Sequence, residues 1–387
     1  RRSNRNSARL NFTNRAPQPT ALGAFTSSSV GVKTGVQSLQ SLLLSNALSF
    51  PTCSKAESPH MNQADLILSD PIDHYPPATV ACFDATMGPL PRRMLAPEHN
   101  KVFLQRLAAA GAPAVLIAAS TGHGHLRSVA ELEEWFRASA TANLGSTIKM
   151  ALLRPEDGME ANNRLLALLK ELEYPVVFVR PGTGLAPDAT DEQIAANMQP
   201  LVEEAARLGF AVGVYSIPDV SGLPLRPAAT RILLDGPGGK NIVAVKVTEA
   251  DYESSTLDFL KDKALAHLKI VQGWDPHLAR ALREGREYDA DGRQRCGVTS
   301  GAMSFAIYQY LHMFDCAGRD WEELSAAQGA VTHLFTAMQD DPDKFADLQR
   351  AKFIMGLVEP LTWLTDEEDV ERVLTTLEQL PREADRH

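Results

Sequence analysis

The chain has only four cysteines in 387 residues (Cys53, Cys82, Cys296 and Cys316), far apart and with no CxxC pair. That excludes a zinc ribbon and a secreted disulfide framework, both of which need clustered or dense cysteine. No apolar run reaches the roughly 18 residues that cross a bilayer as a helix, so no membrane span is expected. The body carries no Lys/Arg block, and 48 acidic residues outnumber 38 basic ones for a net charge of −10. Nucleic acid is therefore not an expected partner, because phosphate contacts need a basic face. Acid is itself missing in one place: none of the first 56 residues is Asp or Glu.

That local absence divides the chain. Residues 1–60 hold seven basic side chains and one acidic one, a net +6, which leaves 31 basic against 47 acidic residues, a net −16, on residues 61–387. The first segment is rich in Ser, Asn, Thr and Ala, with Val36, Leu39, Leu43 and Leu44 spaced through it, the composition of an organellar transit peptide. Residues 1–60 are read as a disordered or transit-peptide-like leader. A mitochondrial location follows if it targets; a cytoplasmic one follows otherwise, including the case in which Met61 is the start.

Beyond residue 76, short apolar runs alternate with amphipathic stretches, the βα signature of a parallel sheet. The expected strands are Thr79–Met87, Ala114–Thr121, Thr147–Arg154, Pro175–Arg180, Ala211–Pro218, Ile242–Glu249, Leu268–Trp274 and Cys296–Ser300. Helical spacing is clearest at Ile194, Met198, Leu201 and Ala205. Eight such units over residues 76–318 have the size of a TIM (β/α)8 barrel. A doubly wound open sheet is the competitor, but no strand is followed by GxGxxG, and Gly236-Pro-Gly-Gly-Lys240 lacks the phosphate-loop spacing and reads as a turn. Residues 319–387 read as a C-terminal helical extension: Trp321–Met338, Pro342–Leu361 and Glu367–Leu380.

A barrel's active site lies at the C-terminal ends of its strands. Strand six, Ile242-Val-Ala-Val-Lys246-Val-Thr-Glu249, puts a lysine inside an apolar run. By period two, Ala244, Lys246 and Thr248 face the interior while Val243, Val245 and Val247 face the helices. Burial disfavours the ammonium form and frees a neutral amine for Schiff-base chemistry; the plainer alternative is an ion pair with Glu249. Tyr215, at the end of strand five, is either a proton relay beside that lysine or an ordinary interior tyrosine. Ser120 and Thr121, before a glycine-rich turn, offer hydroxyl and backbone N–H groups for a carboxylate, or else form a simple βα turn. His123 and His125 raise a metal-dependent hydrolase, for which a third converging ligand is not evident.

Taken together, Ser120-Thr-Gly122, Tyr215-Ser-Ile-Pro218 and Ile242-Val-Ala-Val-Lys246 resemble the dihydrodipicolinate synthase / N-acetylneuraminate lyase family over residues 76–318. The resemblance implies a class I, pyruvate-dependent aldolase or carbon–carbon lyase on a TIM barrel, a homotetramer with no metal and no cofactor beyond the covalent imine. It assigns Lys246 to the Schiff base, Tyr215 to proton relay, Ser120 and Thr121 to the substrate carboxylate, and Thr299 to the pocket wall. Three positions depart from the synthases. Arg180-Pro-Gly-Thr-Gly184 replaces a tyrosine pair after strand four, Val220 stands at the place of an arginine for the second substrate, and His123 stands at the place of a glutamate. The departures point away from synthase-type condensation of pyruvate with an aldehyde. They favour a lyase on a 2-oxo acid, such as 4-hydroxy-2-oxoglutarate or a 2-keto-3-deoxy sugar acid, with Arg180 supplying charge for a distal carboxylate. A barrel that binds without catalysing is a further alternative.

Overall fold

The computed structural model describes residues 62–82, 86–87, 94–95 and 97–338. The leader and the expected helices Pro342–Leu361 and Glu367–Leu380 lie outside the described residues. Eight parallel strands form a closed barrel: β1 (Ala78–Ala81), β2 (Ala114–Ile117), β3 (Ile148–Leu153), β4 (Val176–Val179), β5 (Ala211–Ser216), β6 (Ile242–Val247), β7 (Lys269–Gln272) and β8 (Cys296–Ser300). Each pairs with its sequence neighbours, and β1 closes on β8 through Thr79 opposite Thr299. The order is that of a TIM barrel, with helices α1 (Pro97–Ala109), α2 (Val129–Ala140), α3 (Met159–Glu171), α4 (Asp191–Arg207), α5 (Pro227–Asp235), α6 (Thr256–Lys261), α7 (Leu278–Glu287) and α8 (Met303–Cys316) following the strands in turn. A ninth helix, α9 (Trp321–Met338), is the expected first helix of the extension.

Local chemistry explains where the helices begin. In α2, Ser128 accepts from the Glu131 amide while the Glu131 carboxylate accepts from the Ser128 amide, and Thr190 and Gln193 make the same reciprocal cap on α4. The apolar stripe of α4, Ile194, Met198, Leu201 and Ala205, is fully buried against the outer wall of the barrel. Gly236–Lys240 is a turn, with Gly238 at φ +78° and a short 3-10 segment at Gly239–Asn241 leading into β6.

Alternate residues of each strand divide between two apolar clusters, one under the helices and one inside the barrel. Met150, Leu152, Phe178, Ala211 and Ala244 belong to the inner cluster, joined by Ile67 and Tyr75 from the segment before β1. That segment, with its helix Gln63–Ser69, therefore extends the folded unit to the N-terminal side of residue 76. Gly213 on β5 makes room inside: a Cβ there would come within 2.3 Å of the Phe178 ring.

Two sequence expectations are corrected. Strand one ends at Ala81, and strand two ends at Ile117 because Ala118 turns into the left-handed region (φ 62°) and Ser120–Gly122 coils into a 3-10 turn. Thr86–Met87, expected as the continuation of strand one, pairs antiparallel with Met94–Leu95 in a small separate sheet. Val243 does not face the helices. The β5–β6 register shifts between Val212 and Gly213, so that Val212 is opposite Ile242 and Gly213 opposite Ala244; Val243 is the extra residue and joins the inner cluster.

Candidate active site

Lys246 enters the site from the register of β6. It stands opposite Tyr215 on β5 and Val271 on β7, and is 4% exposed. Its Nζ lies 3.8 Å from the centroid of the Tyr215 ring. Among the described residues no carboxylate pairs with it, and burial alone pulls its pKa down to about 7. The ion pair with Glu249 is overturned: Glu249 accepts from Arg226 and from the Ser216 hydroxyl. A buried amine so placed carries a substantial neutral fraction at ordinary pH, the form that attacks a carbonyl.

Tyr215 is 2% exposed, and its hydroxyl shares a hydrogen bond with Thr248 Oγ1 at 3.1 Å. Burial pushes the phenol pKa upward, against smaller lowering effects of Thr248 and Arg180, so the resting group is a neutral phenol. Thr248, just past the end of β6, was placed on the lysine's face by alternation but was not among the expected site residues. Gly273, just past β7, lies against it: a Cβ there would be 2.3 Å from Thr248 Oγ1 and 3.1 Å from Thr299 Cγ2. Tyr215, Thr248, Gly273 and Thr299 thus follow one another around the rim. Thr299 is 1% exposed, and its hydroxyl has no hydrogen-bond partner among the described residues.

Ser120 and Thr121 sit on the β2 side of the same rim, placed there by the strand order. The Ser120 hydroxyl is buried without a partner among the described residues, a polar atom available to a ligand. The Thr121 hydroxyl is not available in the same way, since it donates to the Ala81 carbonyl at 3.0 Å and ties the turn to the end of β1. The turn is tightly wound. Ala118 at φ 62° and His123 at φ 58° are both left-handed, and a Cβ on Gly124 would fall 1.9 Å from the Ala118 oxygen, so only glycine fits. Arg154, at the end of β3, clamps it from outside by donating to the carbonyls of Gly124 (2.8 Å) and Arg127 (2.9 Å).

Arg180 follows β4 and is completely buried. It donates through both terminal nitrogens to Glu156 and through one of them to the Pro181 carbonyl at 2.8 Å. Its charge is therefore matched within the chain. Only Nε lacks a partner among the described residues. Glu156, in the turn after β3, was not singled out by sequence, because a pairing between two strand exits depends on barrel closure.

At least 78% of this chain superposes on solved structures of three enzymes. They are the Sulfolobus solfataricus 2-keto-3-deoxygluconate aldolase (16% identity, 95% of that chain, TM-score 0.62), the Ruminococcus gnavus sialic acid aldolase (17%, 96%, 0.63) and the dihydrodipicolinate synthase of Aquifex aeolicus (15%, 98%, 0.64). In fold, the chain is similar to these aldolases and this synthase. No family model and no curated protein matches it in sequence.

For the His123/His125 metal reading, the described residues supply these two imidazoles and no converging third ligand. The two rings are tilted by 55° with centroids 6.3 Å apart, and among the described residues no third His, Cys, Asp or Glu ligand atom converges on them. Above β7 and β8 lies an arrangement not anticipated from sequence. Tyr310 of α8 donates to Asp275 Oδ1 at 2.5 Å and contacts the Ser300 hydroxyl at 3.1 Å. Burial raises the Asp275 pKa to about 6, with Tyr310 and Ser300 holding it down. Helix α9 packs on this loop, Gln328 donating to the Asp275 carbonyl at 2.9 Å and Phe335 meeting Trp274 edge-on at 5.4 Å.

Proposed function

We propose that the protein is a Schiff-base-forming carbon–carbon lyase that acts on a 2-oxo acid and releases or consumes a pyruvate unit. The observation that carries this reading is the Lys246 amine, buried inside the barrel with no acid partner among the described residues and lying against the Tyr215 ring. Its likeness in fold to two aldolases and a synthase supports the same reading.

Neutral Lys246 Nζ attacks the C2 carbonyl carbon, and the carbinolamine loses its oxygen as water to give an iminium joined to the lysine. The neutral Tyr215 phenol is the donor for that departing oxygen. In cleavage the C3–C4 electron pair flows to the iminium nitrogen, leaving an enamine, while the C4 hydroxyl gives up its proton and becomes the carbonyl of the released aldehyde. Tyr215 and Thr248, linked at 3.1 Å, receive and pass on that proton. Protonation of the enamine at C3 and hydrolysis of the imine return pyruvate and the free lysine. The imine nitrogen serves as electron sink, so no other cofactor takes part in the proposed steps. The Ser120 hydroxyl and the amides of its turn are the proposed carboxylate cradle, which would fix the carbonyl for attack.

Lyase chemistry is favoured over synthase-type condensation by Val220. It stands where the resemblance expects an arginine for a second substrate, and it packs against the apolar inner cluster. Borohydride reduction with pyruvate, followed by peptide mass mapping, tests the mechanism: the adduct is expected on Lys246, and its absence there would sink the reading. Pyruvate release from a panel of 4-hydroxy-2-oxo acids then identifies the substrate. The homotetramer implied by the resemblance is tested by sedimentation of the full chain.

A further inference from the structure

Outside the barrel, the hairpin formed by α8 and α9 brings together three side chains of different chemistry. His312 and Cys316 are one turn apart on α8, and Glu323 lies in the first turn of α9. One ligand atom from each lies within 4.8 Å of the other two. His312 Nε2 is 3.7 Å from Cys316 Sγ and 3.3 Å from Glu323 Oε1. Zinc bonds of about 2.3 Å to sulfur and about 2.0–2.1 Å to nitrogen and oxygen, at tetrahedral angles, separate S from N by about 3.5 Å and N from O by about 3.4 Å. The two separations from Nε2 lie within about 0.2 Å of that pattern, and because Cys316 Sγ is also 3.7 Å from Nδ1, the ring re-aims its Nε2 lone pair toward the sulfur when the ion binds.

Neighbouring contacts keep the donors close to one another. The His312 ring stacks on Tyr308, with centroids 5.7 Å apart and planes at 13°. Glu323 is fixed at the start of α9 by Asp320, whose Oδ1 accepts from the Glu322 and Glu323 amides at 2.9 Å each. Cys316 is fully buried under the turn. Such a set mixes a soft sulfur, an imidazole and a carboxylate, which suits zinc better than calcium or magnesium.

We propose that His312, Cys316 and Glu323 form a zinc site that pins α9 to α8, with solvent completing the tetrahedron. On binding, the Cys316 S–H bond breaks, its proton passes to solvent, and the thiolate bonds the ion; His312 binds through Nε2 and Glu323 through one carboxylate oxygen. No oxidation or reduction takes place. The site is structural in consequence: α9, anchored at its base, carries Gln328 and Phe335 up to the loop that holds Asp275 above the barrel mouth. It does not depend on the lyase chemistry of Lys246.

The test uses the full chain without a histidine tag. Wild type, Cys316→Ser and Glu323→Gln are exposed to zinc and dialysed, and metal is counted by mass spectrometry. A parallel set loaded with cobalt is examined for the sulfur-to-metal charge-transfer band. Wild type is expected to keep about one zinc per chain, to show the cobalt–thiolate band and to melt at higher temperature with zinc than without. Cys316→Ser should lose the band, and Glu323→Gln should bind at least about ten-fold more weakly. Should the buried Cys316→Ser change prevent folding, Glu323→Gln, at a side chain 50% exposed, carries the comparison. Failure of wild type to retain zinc, or retention equal in wild type and variants, overturns the site.

Discussion

Glu249 turns both carboxylate oxygens to one guanidinium nitrogen of Arg226, at 3.0 and 2.8 Å, and takes the Ser216 hydroxyl at 2.5 Å. The acid three residues beyond Lys246 is thereby committed elsewhere, and the lysine's protonation is governed by burial. An amine with a pKa near 7 must lose its proton before it attacks, so imine formation has an acid limb. The rate of borohydride-trappable adduct formation with pyruvate should fall about ten-fold per pH unit below about 6.5 and level off above about 8. A limb centred near the ordinary lysine value, about 10.4, would contradict the proposed environment.

The same burial costs stability. Unfolded, Lys246 binds its proton up to a pH of about 10.4. Folded, it does so only up to about 7. Between those values the unfolded chain binds more protons, so this group's contribution to stability improves as pH rises from about 7 to about 10 and is at its most unfavourable below about 7. Lys246→Met removes the charge and keeps the stem. The variant should gain about 2–4 kcal/mol at pH 7 and less at pH 10, read from urea unfolding at both. It should also form no adduct with pyruvate.

Much of this site was legible because its signals are local. The eight strands are apolar runs bounded by helical stretches, and Lys246 and Tyr215 interrupt such runs close to their ends. What escaped depends on how separate segments meet. The extra residue Val243 results from a register shift against β5, and period-two counting along β6 alone could not reveal it. Thr121 was grouped with Ser120 as a pair of hydroxyls, yet it bonds to Ala81 on the neighbouring strand while Ser120 has no partner among the described residues. Asp275 and Tyr310, 35 positions apart, are brought together only by the packing of α8 on the barrel.

Arg180 shows how a candidate binding residue changes meaning once its partner is known. It is completely buried, and Glu156, with a side chain 25% exposed, supplies its counter-charge. Removing that acid leaves a buried guanidinium uncompensated. Glu156→Ala should destabilise the fold by up to about 3–5 kcal/mol, the partial exposure of Glu156 favouring the lower end. Arg180→Met/Glu156→Ala should recover most of the loss, as measured by chemical unfolding. If Glu156→Ala is neutral in stability, the guanidinium is solvated and open to a substrate carboxylate.

Asp275 brings a second pH dependence, of opposite sign to that of Lys246. Its folded pKa of about 6 lies above the unfolded value of about 3.9, so between these the folded chain holds more protons. The group's contribution to stability is therefore favourable at low pH and is lost as pH rises through about 4 to 6. Asp275→Asn keeps an acceptor for the Tyr310 hydroxyl and removes the titration. The melting temperature of wild type relative to this variant should decline across that window and then stay level, and parallel curves would show that Asp275 does not titrate there.

The last prediction concerns a residue with no side chain. A Cβ on Gly273 would stand 2.3 Å from Thr248 Oγ1, closer than such atoms approach, so Thr248 must move and its 3.1 Å bond to Tyr215 must stretch or break. Gly273→Ala should reduce kcat/KM on the best 2-oxo acid by about 10–100-fold, the effect of displacing a positioned group by about an ångström. The fold should persist, because the severe overlap is with a side-chain hydroxyl, while the nearest backbone atom, the Val247 oxygen, would be 3.2 Å from the added Cβ, a tight contact and not an overlap. Adding Thr248→Ala relieves the crowding while leaving Tyr215 without its partner. The double variant should then regain stability relative to Gly273→Ala but not activity. Recovery of both would mean that crowding alone was responsible and that Thr248 has no part in moving protons.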